Sequence, residues 1–530
     1  MALGRCLTTA LDGILAHVVG VEANVGAGLP GIHVVGLADT AITESRSRIR
    51  TAIANSHLPW PKTKIVVSMS PASLPKSGSH FDLPMALAIL SAELGACAQE
   101  LPHGSFASFH GSHPGARLDS TLVLGELGLD GSVRPVAGIL PALLAARAQG
   151  YDTLVIPPGN ASEAALVSDV EVLVAPTLAD AFAWACGARV LPKAAVVAKQ
   201  LAPSTERRGF EQAADFADIA GQAPAKKAAE VAAAGGHHLM MVGPPGSGKS
   251  MIAARLPSIL PPLSRAQSVE ATAIHSLTGV PGQVIRRAPL VAPHPSITRA
   301  ALLGGGSGTP RPGAVSLAHH GVLFLDEVSE VAAPVLDALR APLEEGHVRL
   351  ARARREIRYP AQFQLVMAAN PCRCATEDPA KCSCRSAERQ RYLANLSGPL
   401  LDRLDIVIDV SGQSAVINAQ GEETSTTIAQ RVAQARERAA QRWEKDGLEA
   451  RINAAVSAGY LRRHRPACDS AMILLSAYLA EGELSQRGVD RVLRLAWTLA
   501  DLAGRAQPDV DDVGRALDLR GAASVGRLVA

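Results

Sequence analysis

The sequence predicts a multidomain α/β protein, two α/β units in tandem followed by a helical module. Four observations predict it. At 530 residues the chain is too long for one hydrophobic core, and at roughly 150 residues per domain it holds three or four units. Over residues 1–190, short β-rich runs (KIVVSMS, TLVLGEL, DTLVIPP) alternate with Ala/Leu-rich helical stretches at 84–96 and 135–149. Over residues 215–412, apolar strand candidates recur at 238–243, 321–326, 363–369 and 405–410. From 413 to 530 the composition turns to Ala, Leu, Arg and Glu with helical spacing, notably at 425–443, 468–481 and 486–505. Residues 191–214 carry two prolines, weak periodicity and a charged patch, and read as a linker.

Composition excludes several classes. Apolar residues at 48% fill such cores, and charged residues at 19% argue against extensive disorder. Fifty-two Lys+Arg against 49 Asp+Glu leave a net charge of +3, so any nucleic-acid surface must be local. Aromatics at 3% exclude binding through many stacking platforms. No run of about 18 apolar residues predicts a membrane span. The N-terminal stretch lacks a small-residue cleavage site, so a cytoplasmic, soluble protein is expected. Eight cysteines do not make a disulfide scaffold, but four of them fall within residues 372–384 and suggest a local site.

HLMMVGPPGSGKS is an apolar strand followed by a phosphate loop, Gly243, Pro244, Pro245, Gly246, Ser247, Gly248, Lys249 and Ser250, and then a helix. Glycines let successive backbone N–H groups face phosphate oxygens, and the helix N-terminus adds partial positive charge. In this context Lys249 reaches the terminal phosphates and Ser250 ligates Mg2+. Downstream, GVLFLDEVSE ends an apolar strand on Asp326 and Glu327. At the carboxyl end of a parallel strand these fall beside the phosphate loop. Asp326 is then the second Mg2+ residue, and Glu327 the base that orients and deprotonates water. A plain helix cap is the bland alternative for both. QFQLVMAANPC ends another strand on Asn370, an amide able to hold the attacking water, while Arg403 lies on a helix end and Arg487 at a helix start. Their bland readings are a salt bridge of Arg403 with Asp402 or Asp405, and a solvated Arg487.

These blocks, with GLPGIHVVGLADTAITESRSRIRTAI, SPASLPKSGSHFDLPMALAIL, PGAVSLAHHGVLFLDEVSE, AANPCRC and GPLLDRLDI, together resemble the AAA+ ATPases. The chain is similar, over nearly its whole length, to the magnesium-chelatase-like competence ComM (YifB) family. The resemblance implies an S5/Lon-protease-like first domain, an AAA+ P-loop core and a C-terminal helical lid. It also implies a hexameric ring using ATP and Mg2+, in which Arg403 is the arginine finger offered to a neighbour and Arg487 the second sensor of the lid. It further implies a DNA translocase promoting branch migration in recombination during natural transformation. The alternative is a chelatase-type motor subunit that remodels a protein partner, against which the fused first domain weighs.

Against the Lon pattern, PKSGSHFDLPMA puts His80 where the nucleophilic serine stands, and RPVAGIL puts Leu140 where the lysine stands. Without a Ser–Lys dyad no peptidase activity is expected, Ser77 and Ser79 notwithstanding. GHVRLARARREIRYP carries five arginines and one glutamate and alternates like a hairpin with a basic tip. The family's pre-sensor hairpin occupies this place, so Arg349, Arg352, Arg354 and Arg355 are DNA-contact candidates, with a solvated charged hairpin as the alternative. A second insertion, with Arg299, Gly304–Gly306 and Arg311, reads as a Gly/Pro-rich loop. His319 and His320 read as packing or hydrogen-bonding residues, because no acidic or Cys partner lies at ligand spacing. Cys372, Cys374, Cys382 and Cys384 satisfy a four-thiolate structural Zn2+ site, although the C-x-C spacing is tight. Reduced thiols and a redox disulfide are the alternatives.

Overall fold

The computed structural model describes residues 2–35, 40–100, 115–201, 214–278, 282–306, 310–352, 355–374, 376, 382–385, 387–388, 392, 395–410 and 421–520. The first unit is built on a seven-stranded sheet. Its centre is a long antiparallel hairpin, Ala2–Asp12 with Leu15–Gly26, in register from Ala2 opposite Val25 to Asp12 opposite Leu15. Lys64–Ser70 and the edge strand Gly31–Val35 continue one side; Thr121–Val123, Thr153–Ile156 and Glu171–Val174 continue the other. The helix Asp82–Glu100 covers one face, with Leu83, Ala86, Leu87 and Leu90 fully buried. The helix Ile139–Gln149 covers the other, where Leu140 and Leu143 meet Leu7 and Leu122.

The segment expected to be a linker is not plain coil at its start. Ala194–Leu201 is a helix, and Ala194 packs into the first unit's core with Val197 and Ala198 against it. The turn residues sought by sequence reasoning were present, but three small apolar side chains at helical spacing decide the local structure. Residues 202–213 lie outside the described residues.

The second unit holds a five-stranded all-parallel sheet in the order Leu290–Val291, Val322–Leu325, Gln364–Ala369, Leu239–Val242, Ile406–Asp409. LMMV, VLFL and QLVMAA are buried at every position, as expected of strands covered on both faces. The period of two divides them cleanly. Met240, Val242, Leu323, Leu325, Leu365 and Met367 enter one core. Leu239, Met241, Val322, Phe324, Val366 and Ala368 enter the other. That second core continues into the C-terminal helices. Along Ser425–Lys445, Ile428, Val432, Ala435, Ala439 and Trp443 form one buried stripe. It meets Val489, Val492, Leu493, Ala496 and Trp497 of Gln486–Ala503. Trp443 and Trp497 meet edge to face at 5.9 Å, and the Arg442 guanidinium lies 4.5 and 4.1 Å from the two ring centres. Among the described residues, no helix is long and apolar enough to cross a membrane.

Candidate nucleotide site

The strand order brings the sequence-predicted residues to one edge of the sheet. Gln364–Ala369 lies between the acidic strand and the phosphate strand, so Asn370 emerges between Asp326 and the phosphate loop. Gly246 and Gly248 adopt φ of 74° and 85°, the left-handed region that glycine enters without strain. Gly243 faces a tighter constraint, since a Cβ there would stand 2.2 Å from the Val410 carbonyl oxygen. The helix Lys249–Ile259 begins at Lys249, which puts its free N–H groups against the loop.

Lys249 is 7% exposed, and its Nζ donates to the Gly243 and Pro244 carbonyls at 2.7 Å each and to Asn370 Oδ1 at 3.3 Å. Burial lowers its pKa, while Asp326 and Glu327 oppose that shift. Ser250 Oγ donates to Asp326 Oδ2 at 2.6 Å. These two hard oxygens, brought together from separate elements, fit Mg2+. Asp326 Oδ1 accepts the Glu327 backbone N–H at 2.9 Å. Glu327 has φ 45°, a left-handed conformation unusual for a side chain of this kind, and it is exposed toward solvent. Strain of this sort persists where surrounding structure over-determines it, and it clusters at functional sites.

Arg403 pairs with Glu344 rather than with Asp402 or Asp405, and its Nε is buried without a hydrogen-bond partner among the described residues. Burial, then Arg487 and Arg340, depress its pKa. Arg487 pairs with Asp402 at 3.6 Å, on the same side. Three arginines therefore converge from separate elements: Arg340, Arg403 and Arg487. Sequence reasoning missed Arg340 and Glu344, since nothing in their spacing from Arg403 marks a contact. Behind them Asp405 joins a buried network. Its Oδ2 lies 3.4 Å from His237 Nδ1 and its Oδ1 3.9 Å from Arg491. His237 Nε2 is 2.8 Å from Thr498 Oγ1, so the C-terminal helices are tied to the root of the phosphate strand.

The basic segment is the hairpin His347–Arg352 with Arg355–Pro360. Val348, Ile357 and Tyr359 face inward, and Arg349 and Arg358 stand directly opposite one another on the exposed face. Arg349 pairs with Glu345 and Arg358 with Glu356. Arg352 pairs in register with Arg355, and Arg354 lies outside the described residues. The second insertion is more regular than expected. Arg299–Leu303 is a helix, and Gly304–Gly305 forms a short antiparallel ladder with Arg311–Pro312. In the first unit, Ser79 Oγ donates to Glu126, His80 Nε2 lies 2.9 Å from the Thr9 carbonyl, and Leu140 is fully buried.

The four cysteine sulfurs lie within 4.8 Å of one another as free thiols, with Cys372 at 3.1 Å from Cys374 and 3.4 Å from Cys382. The same convergence gathers Glu270, His319 and His320. Sequence reasoning found no acidic partner for these histidines, and the fold supplies one from fifty residues upstream in the helix Arg265–Ser276.

Parallel sheet, phosphate loop, acidic pair and interposed asparagine define a phosphate-loop nucleotide-binding protein. Family models described as magnesium chelatase subunit ChlI match residues 21–160 and 215–417, and one for the ChlI C-terminal region matches 422–520. An uncharacterized protein of Mycobacterium tuberculosis is 48% identical over 98% of this chain and 99% of its own. Competence protein ComM of Haemophilus influenzae is 36% identical over 98% of both chains. The uncharacterized protein YifB of Escherichia coli is 35% identical over 95% of this chain and 94% of its own. The chain belongs to the ComM/YifB-like family of magnesium-chelatase-like proteins. That membership supports an AAA+ ATPase, and with it the use of ATP and Mg2+.

Proposed function

We propose that this chain is an ATP-driven DNA translocase, working as a hexameric ring that promotes branch migration of recombination intermediates. The hydrolytic half of the reading rests on the edge of the parallel sheet. Lys249 holds the terminal phosphates, and Asn370 and Glu327 hold the attacking water between them, with Glu327 taking its proton. Ser250 and Asp326 would hold Mg2+, which would supply neutralisation of phosphate charge. Arg403, with Arg487 beside it, serves the pocket of a neighbouring subunit, where a trans arginine adds about 10³–10⁵ in rate. In an isolated chain Glu344 occupies Arg403, so assembly exchanges that carboxylate for phosphate.

The DNA half rests on one observation: Arg349 and Arg358 are cross-strand neighbours on an exposed face. Each arginine is held by a neighbouring carboxylate, Glu345 or Glu356, so a polyanion would bind by exchanging those partners, and the exposed cross-strand pair supports a surface that meets one. The four cysteines fit a structural Zn2+, since tetrahedral Zn–S bonds of about 2.3 Å bring sulfurs to roughly this spacing. A chelatase-type motor acting on a protein partner is the second reading. The match of residues 21–160 to a ChlI model favours it, because the first unit then no longer distinguishes the two. A synthetic four-way junction assay with ATP separates them. Unwinding by the parent chain, and none by Lys249→Ala or Glu327→Gln, is the expected result. ATP turnover with no effect on any junction refutes the translocase reading.

A further inference from the structure

The helix Arg265–Ser276 stands between the first unit and the nucleotide-binding sheet, and it touches the two with different faces. Toward the first unit it presents residues four apart. Arg265 Nε donates to the Leu166 carbonyl at 2.8 Å, Ala273 is buried in the first unit's core, and Val269 packs against that core. Toward the sheet it presents Glu270, whose Oε2 lies 3.1 Å from His319 Nε2 and 2.7 Å from His320 Nε2. His275 Nε2 adds a contact with the Leu317 carbonyl at 2.8 Å.

The two histidines sit at the root of both strands that carry the site. His319 Nδ1 accepts the Gln362 backbone N–H at 3.0 Å, and the His320 N–H donates to the Gln362 carbonyl at 2.7 Å. Gln364 N–H donates to the Gly321 carbonyl at 2.9 Å, and the acidic strand begins one residue later. His320 holds φ 58°, a left-handed conformation that this stitching enforces. Asp326 and Glu327 stand at the far end of one short strand and Asn370 at the end of the next, and the two strands are hydrogen-bonded in register, so a shift at this root would be carried along the ladder to all three.

A divalent metal on Glu270, His319 and His320 is the obvious competing role, and the hydrogen bonds argue against it. A histidine that ligates through one ring nitrogen donates from the other. His319 Nδ1 instead accepts from a backbone N–H, so its proton sits on Nε2 and points at Glu270. The trio is therefore a carboxylate clamped by two N–H donors, which hold the Glu270 carboxyl well below the usual carboxylate range.

We propose that Glu270 is a positioning residue for ATP hydrolysis, and that through it the helix Arg265–Ser276 lets the first unit set the placement of Asp326, Glu327 and Asn370. This gives the first unit a role in the motor, and it rests on the reading of those residues as the hydrolytic site. The test is steady-state ATPase and fluorescent-nucleotide binding on the full chain for parent, Glu270→Ala, Glu270→Gln and Arg265→Ala, with circular dichroism as the check on folding. Glu270→Ala is expected to lower kcat by about 2- to 5-fold, the scale of a half-exposed carboxylate pair, with nucleotide affinity unchanged. Glu270→Gln keeps an acceptor oxygen for both imidazoles and restores most of kcat. Arg265→Ala, on the face toward the first unit, lowers kcat in the same sense. If Glu270→Ala does not fold, Arg265→Ala carries the test alone. Folded variants with the parent's kcat, or with kcat and affinity lost together, overturn the proposal while leaving the hydrolytic site intact. A parent chain that binds ATP and never hydrolyses it overturns the site reading itself, and the proposal with it.

Discussion

Glu163 offers the sharpest quantitative check on the contact between the two α/β units. It is fully buried, in the short helix Ala161–Ala164. The Asn160 amide donates to Oε1, the Gly282 N–H of the second unit points at the carboxyl, and Oε2 has no hydrogen-bond partner among the described residues. Gly282 is held there by close approach, since a Cβ on it would stand 2.0 Å from the Gly159 carbonyl oxygen. Burial pushes the Glu163 carboxyl up from 4.5 to about 7, against the opposing pull of Asn160 and Gly282. A raised folded-state pKa contributes stability that is fully present below 4.5 and is lost as pH rises through 7. The shift amounts to about 3 kcal/mol at 1.36 kcal/mol per unit. Glu163→Gln keeps the shape and the acceptor but does not ionise. Parent and variant should therefore differ by only about 1 kcal/mol at pH 5, and the variant should be the more stable by most of the full shift at pH 8. For a unit of this size the gap corresponds to roughly 6–12 °C in Tm. Calorimetric scans of the full chain at pH 5.0, 6.5 and 8.0 measure it. A parent–variant gap that does not widen with pH refutes the reasoning.

Three further outcomes are expected. Arg403→Ala should lower ATP turnover by about 10³-fold while leaving nucleotide affinity unchanged, read by ATPase assay and fluorescent-nucleotide titration; comparable loss of affinity would place Arg403 in its own chain's pocket. Gly235→Ala would set a Cβ 2.1 Å from His237 Nε2 and 2.5 Å from Thr498 Oγ1, and should destabilise the chain by about 1–3 kcal/mol, measured by denaturant unfolding. Metal analysis of the purified chain should find one zinc per protomer, lost in Cys382→Ser together with a lower Tm; a metal-free parent rules zinc out.

What was legible in the sequence is what lies along it. The phosphate loop is eight consecutive residues, and the acidic pair and Asn370 each end an apolar run, so strand, turn and chemistry could be read together. The parallel sheet follows from the same runs, because strands buried on both faces cannot alternate. The helix Ala194–Leu201 was missed because its apolar residues are mostly small, and neighbouring prolines read more strongly. Packing against the first unit, which no local pattern reveals, decides that stretch. The short ladder of Gly304–Gly305 was missed for a related reason: glycines give no side-chain period, and only the partner strand defines the pairing.

The residues that couple the parts were illegible for a deeper reason. Glu344 meets Arg403, Glu270 meets His319 and His320, and His237 meets both Asp405 and Thr498, each across dozens of residues or more. None belongs to a motif, because each is defined by what it holds rather than by what it does to a ligand. These contacts share a pattern. Each ties a strand root or a helix start next to the site to an element outside the sheet: the first unit through Glu270, the C-terminal helices through His237. The chemistry at the sheet edge is therefore held from two directions by charged and hydrogen-bonded contacts rather than by apolar packing alone. Such contacts have directional geometry, so small displacements break or remake them while the apolar cores stay closed. The division is between buried parallel strands that keep Lys249, Asp326 and Asn370 in register and polar joints at their roots, and under the proposed coupling it is at those joints that the other domains would act on the site.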